Sequence, residues 1–342
     1  MKKTNKPLLL ALSGTLTLVL PACQLAQPNG QSQSQAPSSS LAKTSEPAIQ
    51  AATYVPYHVK QPIRGYLRSI GSDSMDQVIA DWETELGRFH PNLRFRHEGK
   101  GTSTAIPALL EQRSDIGPMS RPAKAAEIDS FQRKFGYAPT ELPVAVDALA
   151  VYVHPENPIL QSGLSLEQLE RIFSQSDTPI TRWGQLGLSG KWTNAPIRLH
   201  GRNPASGTYS FFKSKALRKH DFKPQLMEHP GSAEVVAAVG ADPYAIGYSG
   251  IAYATPEVST VPLLDEQEQL IEANQANAVS GKYPLARDLF ITINLDPSVG
   301  PTDLQREFVR FAYSREGQQI VAKVGYFPVS TAAAKERAAL YK

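Results

Sequence analysis

The sequence predicts an α/β fold. Short apolar runs alternate with amphipathic helical stretches along the body of the chain, the pattern of strands and helices stacked in layers. Loops rich in glycine and hydroxyl residues recur where an apolar run gives way to a helical stretch, as at the carboxyl ends of strands in an open sheet. The length of 342 residues, at roughly 100–200 residues per domain, suggests two domains.

The elements follow in order from periodicity. Gly65–Ile70 reads as a strand. Met75, Val78, Ile79, Trp82, Leu86 and Phe89 then recur at helical spacing. Leu93–Arg96 reads as a strand, 105–112 as a helix, 115–119 as a short strand and 123–135 as a helix. Ala145–Val153 is a long apolar strand, and 166–173 a helix with Leu166, Leu169, Ile172 and Phe173 on one face. A strand at 197–201 precedes a helix from Tyr209 to about Leu217, and 232–239 reads as a further helix. Strands are expected at 245–249 and 289–294. One last long helix is expected over 303–324, carried by Leu304, Phe308, Phe311, Ala312, Ile320 and Val324.

The N-terminus reads as an export segment. Lys2, Lys3 and Lys6 precede an uncharged apolar run, Leu8 to Leu20, and then Leu20-Pro21-Ala22-Cys23, which fits a secretory signal. The run falls short of the about 20 apolar residues that a membrane-spanning helix needs. The arrangement resembles a bacterial lipoprotein signal over residues 1–22, in which Cys23, the only cysteine, becomes the lipidated first residue and anchors the chain to a membrane. Gln24 rather than Asp follows the cysteine, which in that pattern favours the outer membrane in a Gram-negative host. Residues 23–59 hold the cysteine and a Gln/Ser/Pro-rich stretch with too little apolar surface to offset its ordering entropy, expected to act as a disordered tether.

Charge excludes one class of partner. There are 35 Lys+Arg against 32 Asp+Glu, a formal net charge of +3. The three lysines of the export segment account for all of it: without them, 35 − 3 = 32 basic residues balance 32 acidic ones. A nucleic-acid binder shows a basic excess or stripe, so no nucleic acid is expected as a partner. A single cysteine leaves no disulfide framework and no Cys-rich zinc site. The seven histidines lack ligand spacing, and neither a metal nor a cofactor is expected. Gly184–Trp192 suggests a P-loop but has no glycine five before Gly190 and places Trp192 where Ser/Thr belongs. No GxSxG elbow is present, so no catalytic residue is assigned.

The chemistry gathers in four strand-to-helix loops: Gly71-Ser72-Asp73-Ser74-Met75, Gly99-Lys100-Gly101-Thr102-Ser103-Thr104-Ala105, Pro118-Met119-Ser120-Arg121-Pro122, and Gly201-Arg202-Asn203-Pro204-Ala205-Ser206-Gly207-Thr208. A helix N-terminus offers free N–H groups and the positive end of a dipole, glycine lets backbone approach, hydroxyls donate, and an arginine fork fits a tetrahedral oxyanion. Each Ser or Thr is equally an ordinary N-cap when taken alone. Four such loops in one chain, two of them with arginine, point to an anion.

In this order the loops resemble those of the phosphate-binding proteins of bacterial phosphate ABC transporters, over about residues 64–330. The most specific match is Arg202-Asn203-Pro204-Ala205-Ser206-Gly207-Thr208, similar to that family's Arg-x-x-x-Ser-Gly-Thr loop. Ser114-Asp115-Ile116-Gly117 with Ser120-Arg121-Pro122, Tyr244–Tyr248, Tyr283–Arg287, and Glu316–Gln318 with Gly325-Tyr326 are also similar. The resemblance implies a type II periplasmic-binding-protein fold, with two α/β lobes joined by two crossovers around a ligand cleft. Lobe one would be 60–149 plus 255–342, and lobe two 150–254. It implies a lipid-anchored extracytoplasmic receptor that closes over inorganic phosphate without chemistry and hands it to the membrane subunits of an ABC permease.

By the same resemblance Ser74 and Met75 supply first-loop donors and Thr102 the second-loop hydroxyl. Arg202, Ser206, Gly207 and Thr208 form a lobe-two clamp, and Ser120 and Arg121 stand where some members carry an aspartate that accepts the proton of hydrogen phosphate. Asp147 is the candidate replacement for that acceptor, or else a strand-end charge paired with an arginine; Asp73 is held in reserve. A binder of another oxyanion, a phosphate-ester hydrolase, and an envelope or biofilm protein retaining the fold are the alternatives.

Overall fold

The computed structural model describes residues 54–341. The expected signal, Cys23 and the tether up to residue 53 lie outside the described residues. Residues 54–59, assigned to the tether, are anchored: Tyr54 and Tyr57 are buried in an apolar cluster. Tyr54 Oη donates to Val329 O, and Tyr57 Oη donates to Glu307 Oε2, each at 2.5 Å. The folded body therefore begins before the expected residue 60.

β1 (Gly65–Gly71) runs through a single helical turn at Asp73–Met75 into α1 (Asp76–Phe89). The stripe read from the sequence is the face that packs, for Met75, Val78, Ile79, Trp82 and Leu86 are all buried. Truncating one such core side chain costs about 2–5 kcal/mol, against about 1 kcal/mol for a helix cap, so burial rather than capping holds α1. β2 (Leu93–Gly99), α2 (Ala105–Leu110), β3 (Ile116–Met119) and α3 (Ala125–Phe135) follow.

β4 (Thr140–Val153) is longer than the expected 145–153. Pro143, which lacks an N–H and argues against a strand, is accommodated at a bulge: Leu289 pairs with Ala145 and Phe290 with Pro143, so Val144 is the extra residue. The second half of β4 is buried on both faces, which is why it reads as an unbroken apolar run. α4 (Ile159–Ser162) and α5 (Leu166–Phe173) come next, α5 closed by reciprocal hydrogen bonds between Ser165 and Gln168. They are followed by β5 (Arg198–Arg202), α6 (Gly207–Lys215), β6 (Met227–His229), α7 (Ser232–Gly240) and β7 (Ala245–Gly250).

Short strands β8 (Ser259–Thr260), β9 (Leu263–Leu264) and β10 (Leu270–Ile271), then α8 (Gln275–Val279), lead to β11 (Ala286–Ile293). The expected single helix over 303–324 is two, α9 (Asp303–Ala312) and α10 (Arg315–Val324). Ser314 separates them: its hydroxyl donates to Phe311 O and accepts from Gly317 N, so the side chain offers the backbone a cap in place of a further turn. β12 (Phe327–Pro328) and α11 (Thr331–Ala339) close the chain. α11 was not expected, because its alanine-rich sequence buries only Ala334 and carries no apolar period.

The principal sheet runs β2-β1-β3-β11-β4-β7-β5-β6, with β8 and β12 also on β4. Pairs β1/β2, β1/β3, β5/β6 and β5/β7 are parallel, whereas β11 and β4 pair antiparallel with their neighbours. β4 is the spine. Its Thr140–Ala148 part pairs with β11, and its Leu149–Val153 part with β7.

One apolar cluster gathers α1, the first part of β4, β11, α9 and α10; a second gathers the second part of β4 with α5, α6, β5 and β7; a small third joins α2, β3 and α3. Val258, Val261, Leu263, Ala273, Ala278, Tyr283 and Leu285 belong to the second cluster. The expected division sent the chain back to the first lobe at 255. In packing it returns only at β11, because β8 pairs with Tyr152 and Val153 and keeps the intervening segment with the second half.

Candidate anion-binding site

The four loops meet. The first leaves β1, the second leaves β2, the third leaves β3, and the fourth leaves β5 at the start of α6. Ser72, Ser74, Thr102, Ser120, Ser206 and Thr208 are all buried. Ser72 Oγ and Thr102 Oγ1 lie 3.1 and 3.0 Å from Ser120 Oγ, and Ser120 N donates to Thr102 Oγ1 at 3.1 Å. Ser74 Oγ lies 3.2 Å from Thr208 Oγ1, across from one half of the molecule to the other.

Two glycines let the loops touch. A Cβ on Gly207, the first residue of α6, would stand 2.4 Å from Thr102 Oγ1 and 2.5 Å from Ser120 Oγ. Gly101 combines a φ of +97° with a Cβ position 2.6 Å from Ala205 O. Ser103 N and Oγ both donate to that same carbonyl, at 3.2 and 3.0 Å.

Two buried arginine–aspartate pairs flank the hydroxyls. Asp147 and Arg287 are register partners on β4 and β11, where β4 changes its pairing. Arg287 Nε and Nη2 donate to Asp147 Oδ2 at 2.9 and 2.7 Å, Nη2 also to Thr208 Oγ1 at 2.9 Å, and Nη1 to Ser120 O at 3.0 Å. Asp147 Oδ1 accepts from Ile251 N at 3.1 Å.

Arg202, at the end of β5, donates from Nη1 to Ser232 Oγ at 2.7 Å and from Nη2 to Pro230 O at 2.6 Å. Its Nη2 also lies 2.7 Å from Asp73 Oδ2. That approach is off the hydrogen-bonding direction, and both Asp73 oxygens are buried without an aligned donor. Burial, opposed by the Arg202 charge, pushes the Asp73 carboxyl above its ordinary range. The backbone here is tied from the other side: Tyr253 Oη donates to Asp73 O at 2.9 Å and Tyr326 Oη to Ser74 O at 2.7 Å.

The structure thus gathers Ser74, Thr102, Ser120, Asp147, Arg202, Ser206, Gly207 and Thr208. Two further candidates are differently engaged. The fork of Arg121 is closed on Glu127, with Nη1 to Oε2 and Nη2 to Oε1 both at 2.8 Å. Burial opposes ionisation of Glu127, but its hydrogen bonds from Arg121 and Lys124 prevail and hold it below its ordinary value. Met75 buries its side chain in the core and spends its N–H on Ser72 O at 3.2 Å. Ser206 keeps the ordinary cap role, accepting from Thr208 N at 3.1 Å.

Arg287 stands among these hydroxyls, with Nη2 on Thr208 Oγ1, whereas two nitrogens of Arg121 are on Glu127. Tyr283–Arg287 is one of the similar segments, yet Arg287 lies on a strand and not at a helix N-terminus, where anion sites are expected. The signal available was an arginine in an apolar strand, which demands a buried partner.

A different chain of contacts links Ser69 Oγ to His97 Nδ1 at 3.1 Å and His97 Nε2 to Asp76 Oδ1 at 2.7 Å. Ser69 is completely buried, so its hydroxyl is closed to a substrate and the chain of contacts braces β1, β2 and α1. Among the described residues no group of His, Cys, Asp and Glu is placed to hold a metal ion. What the site offers is a buried set of hydroxyl donors, two guanidinium groups and a helix N-terminus, which together suit a tetrahedral oxyanion.

A family model described as a PBP superfamily domain matches residues 58–316. The phosphate-binding protein PstS of Pseudomonas aeruginosa is 42% identical over 286 residues, covering 82% of this chain and 88% of that protein. The SphX protein of Synechococcus elongatus is 25% identical over 287 residues, 82% of this chain and 83% of its own. Among solved structures, a phosphate ABC transporter substrate-binding protein from Clostridium perfringens with bound phosphate is similar at a TM-score of 0.65 and 26% identity, covering 78% of this chain and 100% of that one.

Proposed function

Because the chain belongs to the PBP superfamily and, within it, to the PstS family of phosphate-binding proteins, we propose that it is an extracytoplasmic receptor that binds inorganic phosphate for ABC-type import. It is a binding protein and not an enzyme. The observation that carries the ligand is the meeting of Ser74 from one half of the molecule with Thr208 from the other, and of Thr102 and Ser120 with Gly207. A buried anion needs donors on every side, and here both halves supply them.

In this reading Ser74, Thr102, Ser120 and Thr208 donate hydroxyls, Gly207 opens the N-terminus of α6, Ser206 shapes it, and Arg202 and Arg287 supply charge. Arg287 takes the role first given to Arg121, and Met75 serves through packing. The two halves close over the ligand by bending near Asp147 and Gly250, with the second lobe extending to about residue 285. Cys23 carries a lipid that tethers the receptor in the cell envelope, at the outer membrane in a Gram-negative host, and the membrane subunits of an ABC permease receive the phosphate. Isothermal titration calorimetry of the purified protein tests the reading: one phosphate per chain is expected, and no heat with phosphate across a full titration refutes it.

A further inference from the structure

We propose that the strip formed by residues 55–66 and the outer face of β2 rests on an anionic lipid bilayer, with its basic side chains against the headgroup phosphates. The proposal rests on the lipid-anchored reading and adds to it the face that the body turns to the membrane.

Charge is distributed unevenly along the chain. No acidic residue lies between Glu46 and Asp73, whereas Lys60, Arg64 and Arg68 do. The same stretch shows apolar side chains to solvent: Val55 is 57% exposed, Val59 39% and Tyr66 67%. A membrane–water interface suits this combination. Cations meet the lipid phosphates while aromatic and apolar side chains enter the headgroup layer.

The edge strand β2 widens the strip. Its register sets Tyr66 beside Arg94 and Arg68 beside Arg96. Side chains alternate along a strand, so these four share the face turned away from Leu67, which packs in the cluster with α1. Arg64 and Asn92 line one open cavity with Thr302 and Asp303, which joins the strip to the start of β2. Most of this charge is unspent. Arg94 Nη1 donates to the carbonyls of Pro91 and Leu93, at 2.9 and 3.2 Å, and not to a carboxylate. Arg96 Nη2 stays 3.5 Å from Glu98 Oε1, while Glu98 Oε2 holds Lys100 at 2.5 Å. Arg68 is the exception, its fork closed on Asp115. The carboxylates of Glu307 and Glu316 beside the strip are bonded to Tyr57.

The strip also lies where the anchored chain arrives. The described residues begin at Tyr54, one residue before it. A tether ending there holds the strip close to the bilayer, so contacts too weak to recruit a free protein suffice. A second copy of the chain fits this face less well. Laid antiparallel on its own copy with Arg94 against Glu98, β2 would set Arg96 against Arg96.

The test is co-sedimentation of the full mature chain, made without lipid, at low salt. One set of vesicles mixes phosphatidylglycerol into phosphatidylcholine, and the other is phosphatidylcholine alone. Binding to the first and not the second is expected, with release as salt is raised. The Arg64→Glu, Arg94→Glu double variant is expected to partition at least about tenfold less, with phosphate affinity unchanged in calorimetry. Should it not fold, Arg64→Gln with Arg94→Gln is read for the same loss. Saturating free phosphate is expected to leave vesicle binding in place; release by phosphate would put the headgroup in the cleft and overturn the proposal. Equal binding to both vesicles, binding to neither, or full binding by the folded double variant also overturns it. Binding to polyglutamate but not to vesicles overturns it in favour of an acidic protein. Mass spectrometry of the natural protein reads the lipid on Cys23 separately: its absence refutes the anchored reading, while selective vesicle binding still supports the strip.

Discussion

Two buried arginine–aspartate pairs flank the same group of hydroxyls, and they are built for different ends. Asp147–Arg287 joins neighbouring strands, and every oxygen of the carboxylate is bonded. Asp73–Arg202 joins a loop of one half to a strand end of the other, and the carboxylate has contact without aligned bonds. A buried ion pair repays its desolvation only when the remaining lone pairs are satisfied. The first pair is therefore part of the framework, and the second is incomplete until something else arrives.

Removing a framework partner is the largest way to break this contrast. Arg287→Ala strands the Asp147 carboxylate, and a loss of about 3–5 kcal/mol of stability is expected in chemical denaturation. A mild effect would mean that Asp147 is not held by Arg287. Arg202→Ala should act on the ligand as well, weakening phosphate by about a hundredfold, or roughly 3 kcal/mol for a lost charge-assisted contact, while the loss of its bonds to Ser232 and Pro230 lowers the melting temperature. If it unfolds the protein while the survivors bind phosphate normally, the two pairs have been assigned the wrong way round.

A smaller effect sharpens the geometry between them. Gly207→Ala drives a methyl against Thr102 Oγ1 and Ser120 Oγ, and a loss of about tenfold in phosphate affinity with little change in folding is expected. Wild-type affinity in that variant would show that the halves do not need this approach. The smallest effect is on pH. The folded Asp73 carboxyl titrates above its unfolded value, so its contribution to stability is present below the ordinary carboxylate range and is lost as pH rises through the raised value. Ligand-free Asp73→Asn should then be at least as stable as wild type at neutral pH, with the difference vanishing in acid. Denaturation curves across that interval check the sign.

Much of this was legible in the sequence where the information is local. The stripe Val78, Ile79, Trp82, Leu86 is a periodic signal and folds as read. The loops that deliver Ser74, Thr102 and Thr208 could be found because glycine and hydroxyl residues cluster at helix starts. What escaped depends on who captures a side chain. Arg121 has no partner marked in the sequence, but Glu127 lies in the first turn of the next helix and takes its fork. Arg287 and Asp147 are 140 residues apart, and only the antiparallel pairing of β11 with β4 brings them together. Ser314 ended a helix whose apolar period ran straight through it.

The long strand β4 also sets a limit on inheritance. Side chains alternate faces with every residue of a strand, so a one-residue deletion exchanges inside for outside from that point onward. In β4 such a deletion ahead of Asp147 would turn its carboxylate away from Arg287 or shift every bonded partner of both halves at once. Loops other than the four that build the site can change length at small entropic cost, whereas a change in the count of this strand exchanges its faces. Val144, beside Pro143, is the one position where β4 carries a residue more than β11 opposite it, and the pairing resumes on either side.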